Sequence, residues 1–583
     1  MGDDPPQRTG AARRSARRVS VLSILALAVL APLAFLNASG CPPTPVPPVT
    51  LTPPPWPEWV LRHWVWENEG DQASALALTD GYLARGIPVG AQVIDRPWEV
   101  QPVAFEPDPA RYPDLGALVD DLHARDVRAV MWIVSAINDT AATFPEALAN
   151  GYLLSGGATV DWWGGQGALL DYTNPAAVAW WHARMQSILS LGIDGWKCDA
   201  TDPLVLLIPG GAVGSTGPVT WDQYRDAYYR DFFTFTRSRL GNDRVILARP
   251  SDSYVGVPLP VPFAPKDVNF AGWVGDQDSS FAGMRSALAN MVASSNLGYV
   301  NFGSDIGGFR GDGLNDPELF VRWAQLGALN PIMENGGGGE HRPWMYGAEV
   351  ESIYRTYAKL HHELVPFLYS LGAKAWKQNV SLMRFQGVDQ SYLLGEDLYV
   401  APMTDTGTSR AVTFPAGTWR DWLDETLVYA GGSTQTLTVP LERFPVFVRD
   451  GAIVPLDVTS AASGHGDAFA AGHLTLAAYP LASGSKTVDV YEEHGSGVRV
   501  TWRAESATSL ALEVSPTARA VLWRVRGGPA IANVTEDFGA APTHVASVSA
   551  LTSATRTWTR DAAGITWVRI ADPSAGVRLH LTP

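Results

Sequence analysis

Between Trp56 and about Lys374 the chain repeats one pattern eight times: a short apolar run, then a helical stretch. The runs begin near residues 59, 89, 127, 193, 244, 270, 298 and 328. EWVLRHWVW leads into a helix expected over 72–85, VGAQVID into one near 115–125, and VRAVMWIV comes before the helical AAVAWWHARMQSILSL and the strand IDGWKCD. Runs that are apolar throughout suit strands of a parallel sheet covered on both faces. Eight strand-then-helix units predict an α/β fold, a (β/α)8 TIM barrel, over residues 57–374.

After residue 374 the texture changes to short strands with turn signals between them, as in VSLMRF, YLLGEDLYVAPM and FPVFVRDGAIVPL. This predicts two C-terminal antiparallel β-sandwich domains, at 375–457 and 458–583. No repeat of solenoid period is present. At the other end, residues 1–41 read as an export signal. Arg13, Arg14, Arg17 and Arg18 precede the apolar run VSVLSILALAVLAPLAFL, and ASGC follows it. Small residues before a cysteine point to lipidation of Cys41, with an uncleaved signal anchor as the alternative. The chain is therefore expected at the cell surface or in the periplasm of a bacterium, touching membrane only through that lipid or anchor. Residues 42–56 read as a proline-rich linker that holds the body off the membrane.

The net charge of −16 over 583 residues argues against nucleic acid as a partner. Two cysteines, Cys41 and Cys198, supply neither a disulfide framework nor a zinc cluster. The 22 tryptophans suit stacking on sugar faces and a large core equally well.

Polar residues close five of the apolar runs: Asp95, Asp199, Arg249, Asp276 and Asp305. A single such residue is an ordinary helix cap, but five at successive strand ends describe one site at the barrel's C-terminal face. Asp199 and Asp276, ending the fourth and sixth runs, suit glycoside cleavage, in which one carboxylate attacks and the other donates a proton. Neighbouring carboxylates push their pKa values apart, as that division of labour needs. Lys197, on the same strand face as Asp199, favours an ionised Asp199. Asp276, in GWVGDQ, is expected to sit among aromatic and glycine residues in a poorly solvated niche that keeps its proton.

The segments GIDGWKCDATDP, GWVGDQDSSFAGM and NFGSDIGGF, in this order, resemble glycoside hydrolase family 31, the family of α-glucosidases, α-xylosidases and some α-galactosidases. The resemblance continues through LVPFLYSLGAKAW, LLGEDLYVAPM, FPVFVRDGAIVPL and YPLASGSKTVDVYEEHG, and spans roughly residues 58–500. It implies that Asp199 is the nucleophile and Asp276 the general acid/base of a retaining, exo-acting α-glycoside hydrolase. It implies carbohydrate contacts for Asp95, Arg249 and Asp305, aromatic walls at Trp196 and Trp273, and a sugar-binding role for His341. It implies no metal and no organic cofactor. A transglycosylase or lyase on the same scaffold, and a non-catalytic glycan-binding lipoprotein, are the alternatives. Oligomeric state is not legible.

The pattern also departs from the family. A β-sandwich usually precedes the barrel, whereas here the barrel follows the linker, and VLLIPGGAVGSTGPVT and VPLPVPFAPKDVN are the insertions available to shape the pocket. Lys197 and Arg96 add positive charge where the family is uncharged. They could select an acidic sugar; the alternative is that Lys197 pairs with Asp199 or Asp202 and Arg96 points to solvent. Asp202 reads as a helix cap, Asp194 as structural, and Cys198 as a packing residue on the opposite strand face.

Overall fold

The structure, a computed structural model, describes residues 44–252, 261–387, 389–527 and 530–583. The expected export signal and Cys41 lie outside the described residues, as does the start of the second insertion. Among the described residues no helix is long and apolar enough to cross a membrane.

Eight parallel strands form one sheet: β1 (His63–Trp66), β2 (Ala91–Ile94), β3 (Arg128–Ile133), β4 (Gly195–Cys198), β5 (Val245–Ala248), β6 (Ala271–Trp273), β7 (Phe302–Gly303) and β8 (Met333–Asn335). From β1 to β7 each pairs with the next, and β8 pairs with β1 through His63–Met333 and Val65–Asn335. The ring closes between β7 and β8 through one parallel bridge, Asp305 to Glu334, with the Ile306 N–H donating to the Glu334 carbonyl at 2.9 Å. This is a TIM barrel.

The helices start where side chains satisfy free N–H groups. Asp71 and Ser74 form a capping box ahead of helix Gln72–Ala84, and Thr220 and Gln223 form one ahead of helix Trp221–Leu240. The second helix buries Tyr224, Tyr228, Tyr229 and Phe232, spaced to fall on one face, and Phe232 packs edge-on against Trp196 of β4 at 5.5 Å. Burying a ring such as Phe232 contributes about 2 kcal/mol.

Three expectations need correction. The first apolar run is not a strand from residue 59: Glu58–Leu61 is a 3-10 turn after Pro57, and the strand begins at His63. Trp59 folds back onto Trp64 at 5.3 Å, which a continuous strand would forbid, because residues five apart lie on opposite faces. The described part of the linker is no spacer. Val46, Leu51 and Trp56 are buried, the Leu51 N–H donates to the Ser496 carbonyl, and Trp56 packs between Phe270 and Trp376. Its prolines hold it extended while these apolar residues enter the body. The boundary between the sandwich domains also lies earlier than 457. Strand Val446–Arg449 belongs to the six-stranded sheet built from Met383 onward, but Ile453–Leu456 pairs with Leu474–Ala478 of the next sheet. The chain crosses over at Gly451, whose φ of 89° suits glycine.

The distal domain is a sandwich of six- and five-stranded sheets around Trp502, Trp523 and Leu512. It is tied to the preceding sheet by a buried pair, Arg524 with Glu425, at 2.7 and 2.9 Å. Glu425 also accepts from the Tyr479 hydroxyl.

Candidate active site

Strand alternation decides what enters the barrel lumen. Gln92, Trp196, Ser304 and Asn335 point outward, bonding Thr79, Thr236, Trp323 and Tyr82 of the helix layer. Their neighbours turn inward at the C-terminal end: Asp95 after β2, Trp132 on β3, Lys197 and Asp199 at β4, Arg249 after β5, Trp273 on β6, Asp305 after β7 and Glu334 on β8.

Asp199 and Asp276 meet across Arg249. One guanidinium nitrogen, Nη2, donates to Asp199 Oδ1 at 3.0 Å and to Asp276 Oδ1 at 2.9 Å. Arg249 Nε and the Ala200 N–H also reach Asp199 Oδ1, and Trp132 Nε1 reaches Oδ2 at 3.3 Å. Arg249 itself is buried over the Trp273 ring and paired with Asp252. Burial alone would raise the Asp199 pKa, but the charges of Arg249 and then Lys197, with the Ala200 and Trp132 hydrogen bonds, hold it below the usual carboxylate value. Asp276 sits beside a guanidinium, not in the apolar niche expected from GWVGDQ. Gly275 makes this close packing possible: its φ is 95°, and a Cβ there would lie 2.1 Å from Asp252 Oδ2.

Lys197 takes neither expected partner. Its Nζ lies 3.0 Å from Asp95 Oδ2 and 3.7 Å above the Trp66 ring centroid. Burial works against its charge, but Asp95, Glu334, Asp305 and Asp199 overcome that and hold its pKa above the ordinary lysine value. Burial pushes Asp95 up, and the ammonium offsets part of that rise. Arg96 does not reach freely into solvent either: it stacks over Trp163 at 4.8 Å and lies 3.4 Å from Glu69. Lys197 is thus already paired inside the lumen, and Arg96 lies against an aromatic ring and an exposed carboxylate. Six carboxyl groups (Asp95, Asp199, Asp252, Asp276, Asp305 and Glu334) surround two cations, Lys197 and Arg249, and among the described residues this lumen offers an anionic sugar no unmet positive charge.

Asp305 and Glu334 form the floor. Their carboxyl oxygens are buried and have no hydrogen-bond partner among the described residues. Burial, then the facing Glu334, raises Asp305 well above the carboxylate range. Burial likewise pushes Glu334 up to about 7 against the pull of Lys197. Glu334 escaped the sequence reading, although the rule that found the other five applies to it: it closes the apolar run ALNPIM.

A cleft of about 240 Å³ on the Asp276 side is lined by Arg249, Asp252, Asp276 and Arg310, and Asp199 is not among its lining residues. A larger cavity of about 660 Å³ lies elsewhere, between helix Val365–Gln378 and the sandwich strands. It holds no barrel-mouth residue, so size does not mark the chemistry here.

The model of the glycosyl hydrolases family 31 TIM-barrel domain matches residues 53–371, and that of the family's C-terminal domain matches residues 377–454. This chain belongs to glycosyl hydrolase family 31. An α-xylosidase of Emericella nidulans is 26% identical over 432 residues, which is 69% of this chain and 54% of that protein. Alpha-glucosidase 2 of Bacillus thermoamyloliquefaciens is 25% identical over 478 residues, 75% of this chain and 58% of that one. The chain spans little more than half the length of these curated relatives. The cycloalternan-forming enzyme of Listeria monocytogenes shares the fold, with a TM-score of 0.78 and 22% identity over 92% of this chain and 55% of that one.

Within this family 31 barrel the remaining expected site residues divide. Trp273 faces the lumen, beneath Arg249 and 5.1 Å from Lys197 Nζ. Trp196 does not: it lies between Phe105 and Phe232 in the helix layer and donates to Thr236. Being one residue before inward Lys197, it must face out, so it is no wall of the pocket. His341 is buried in a small cavity that it shares with Trp66, the ring beneath Lys197 Nζ. Its Nδ1 meets the Ile306 carbonyl and Asn335 Oδ1, and burial lowers its pKa to about 4, so it is neutral. Gly337 is needed there, since a Cβ would lie 2.5 Å from His341 Nε2. Asp202 is not a cap; it accepts from Trp221 and Tyr229. Asp194 ties His123, Arg128 and the Ala129 N–H together, and Cys198 is buried behind β4.

Proposed function

We propose that this chain is a retaining, exo-acting α-glycoside hydrolase with Asp199 as nucleophile and Asp276 as acid/base. The observation that carries the reading is the one guanidinium nitrogen shared by both aspartates. It holds the two oxygens that it bonds no more than about 6 Å apart, close enough for the pair to act on one anomeric centre and compatible with a retaining pair at about 5–5.5 Å. In the first step Asp199 attacks the anomeric carbon while Asp276 protonates the departing oxygen, leaving a glycosyl ester on Asp199. In the second, Asp276 takes a proton from water, and the resulting hydroxide displaces Asp199. Arg249 and Lys197 keep Asp199 ionised for the attack.

The closed floor of Lys197, Asp305 and Glu334 supports removal of one terminal sugar. The carboxyl-rich lumen favours a neutral sugar over a uronic or sulfonated one. The α-xylosidase and α-glucosidase relatives make α-xylosides and α-glucosides the first candidates. Neutral and acidic 4-nitrophenyl α-glycosides assayed side by side test this, with NMR detection of the first anomer released. The α-anomer from a neutral substrate is expected; initial β-anomer, or a preference for acidic sugars, would refute the reading. The variant D276A should lose about 10²–10⁴-fold on substrates with poor leaving groups, and less on 4-nitrophenyl glycosides. Product analysis with added sugar acceptors separates hydrolysis from transglycosylation.

We further propose export and lipid anchoring through Cys41, supported by the Arg-flanked apolar run before ASGC. Metabolic labelling with a radioactive fatty acid should mark the wild-type chain and not C41A, and an unlabelled wild-type chain would overturn the lipid anchor.

A further inference from the structure

After β3 the chain builds a small three-stranded sheet from Ala136–Asn138, Val160–Trp162 and Gly165–Leu169. Its turn carries Trp163, which is 48% exposed. An indole left this open gains little from the core. It is also held in place. Asn138 accepts from Trp162 Nε1 and donates to the Gly164 carbonyl, both at 2.8 Å, locking the residues on either side. The Arg96 guanidinium stacks 4.8 Å from the Trp163 ring, and Trp162 meets it edge-on at 4.7 Å.

This fixed ring lies one side chain from the chemistry. Trp163 is 5.8 Å, centroid to centroid, from Trp132, and Trp132 donates to Asp199 Oδ2. The strand carrying Trp162 packs against the 3-10 turn Asp202–Leu207, where Leu206 and Leu207 are more than half and half exposed. The lumen below is crowded with carboxyls, whereas this part of the rim offers flat, apolar surface.

Resting on the glycosidase reading above, we propose that Trp163 is the platform of a leaving-group subsite that takes a six-membered ring by its apolar face, the second pyranose of the substrate. Stacking on an indole uses the C–H face of a sugar and leaves its hydroxyls in water, so the site binds the ring with little demand on linkage. Asp199 and Asp276 act on the bond between the sugar in the lumen and the ring on Trp163.

The test compares three substrates of whichever sugar the wild type turns over fastest: the α-linked disaccharide, the 4-nitrophenyl α-glycoside, and the α-glycosyl fluoride, whose leaving group has no ring. W163A should raise KM for the disaccharide on the order of tenfold and leave kcat/KM for the fluoride unchanged, with W163F restoring most of the loss. A larger loss on the nitrophenyl substrate than on the disaccharide would overturn the pyranose assignment. An equal loss on all three would show that Trp163 merely supports Trp132 and Asp199, and no loss on any would remove the platform; either result overturns the proposal. Wild-type turnover of the fluoride reports on the glycosidase reading separately, and a chain inert toward every fluoride overturns both.

Discussion

Replacing Lys197 with methionine tests the electrostatic account most directly. The ammonium is buried, 3.0 Å from Asp95, and the other bond given to the Asp95 carboxyl comes from the Arg96 N–H at 2.8 Å. K197M therefore strands a buried carboxyl, and breaking such a pair costs about 3–5 kcal/mol, a large share of a typical stability of about 5–15 kcal/mol. Removing both charges should cost much less, so K197M/D95N is expected to recover most of the loss. Because the folded pKa of Lys197 is raised, its contribution is complete below the unfolded value of 10.5 and fades only as pH rises through the folded one. Urea unfolding near pH 7 thus reads the full effect. Activity gives an independent readout. Lys197 helps to depress the Asp199 pKa, and protonated Asp199 cannot attack, so the acidic limb of kcat/KM should move to higher pH in K197M. Each unit of movement corresponds to about 1.4 kcal/mol of lost interaction. A K197M protein within about 0.5 kcal/mol of wild type, with its acidic limb unmoved, would refute the reasoning.

Glu334 behaves in the opposite sense. Its carboxyl is raised from 4.5 to about 7, so the folded chain holds a proton that the unfolded chain has released, and stability falls as pH rises across that window. E334Q should flatten this fall by on the order of 3 kcal/mol, measured by unfolding at pH 4.5 and pH 8. W196F should lose about 1–3 kcal/mol, from the Thr236 hydrogen bond and the space left behind, while KM stays unchanged; a KM effect would return Trp196 to the pocket. R524M should cost about 3–5 kcal/mol through the stranded Glu425, with no change in the pH profile of activity.

Local pattern carried much of the architecture. Apolar runs and the helices between them are properties of neighbouring residues, so the barrel and the polar strand ends were legible without coordinates. So was the sharing of one strand face by Lys197 and Asp199. The same alternation, applied one residue further, excludes Trp196 from the lumen, since it directly precedes Lys197. The expectation followed the family resemblance where the pleat argued otherwise. Glu334 is equally accessible, since it follows the apolar run ALNPIM as the other five follow theirs.

What the amino-acid order determines alone is therefore direction: which side chains point into a lumen, and at which end. What the tertiary structure decides is partnership. Lys197 finds Asp95 instead of its chain neighbours because β2 and β4 flank β3 in a register that sets Asp95 and Lys197 level on either side of Trp132. The apolar side chains of a proline-rich segment find cover only once helix and sandwich surfaces exist beside them. Trp163 becomes an exposed platform only when its hairpin is set next to Trp132. Each of these depends on distances across the assembled barrel and sandwiches, where charge and burial act through space, and no local spacing encodes them.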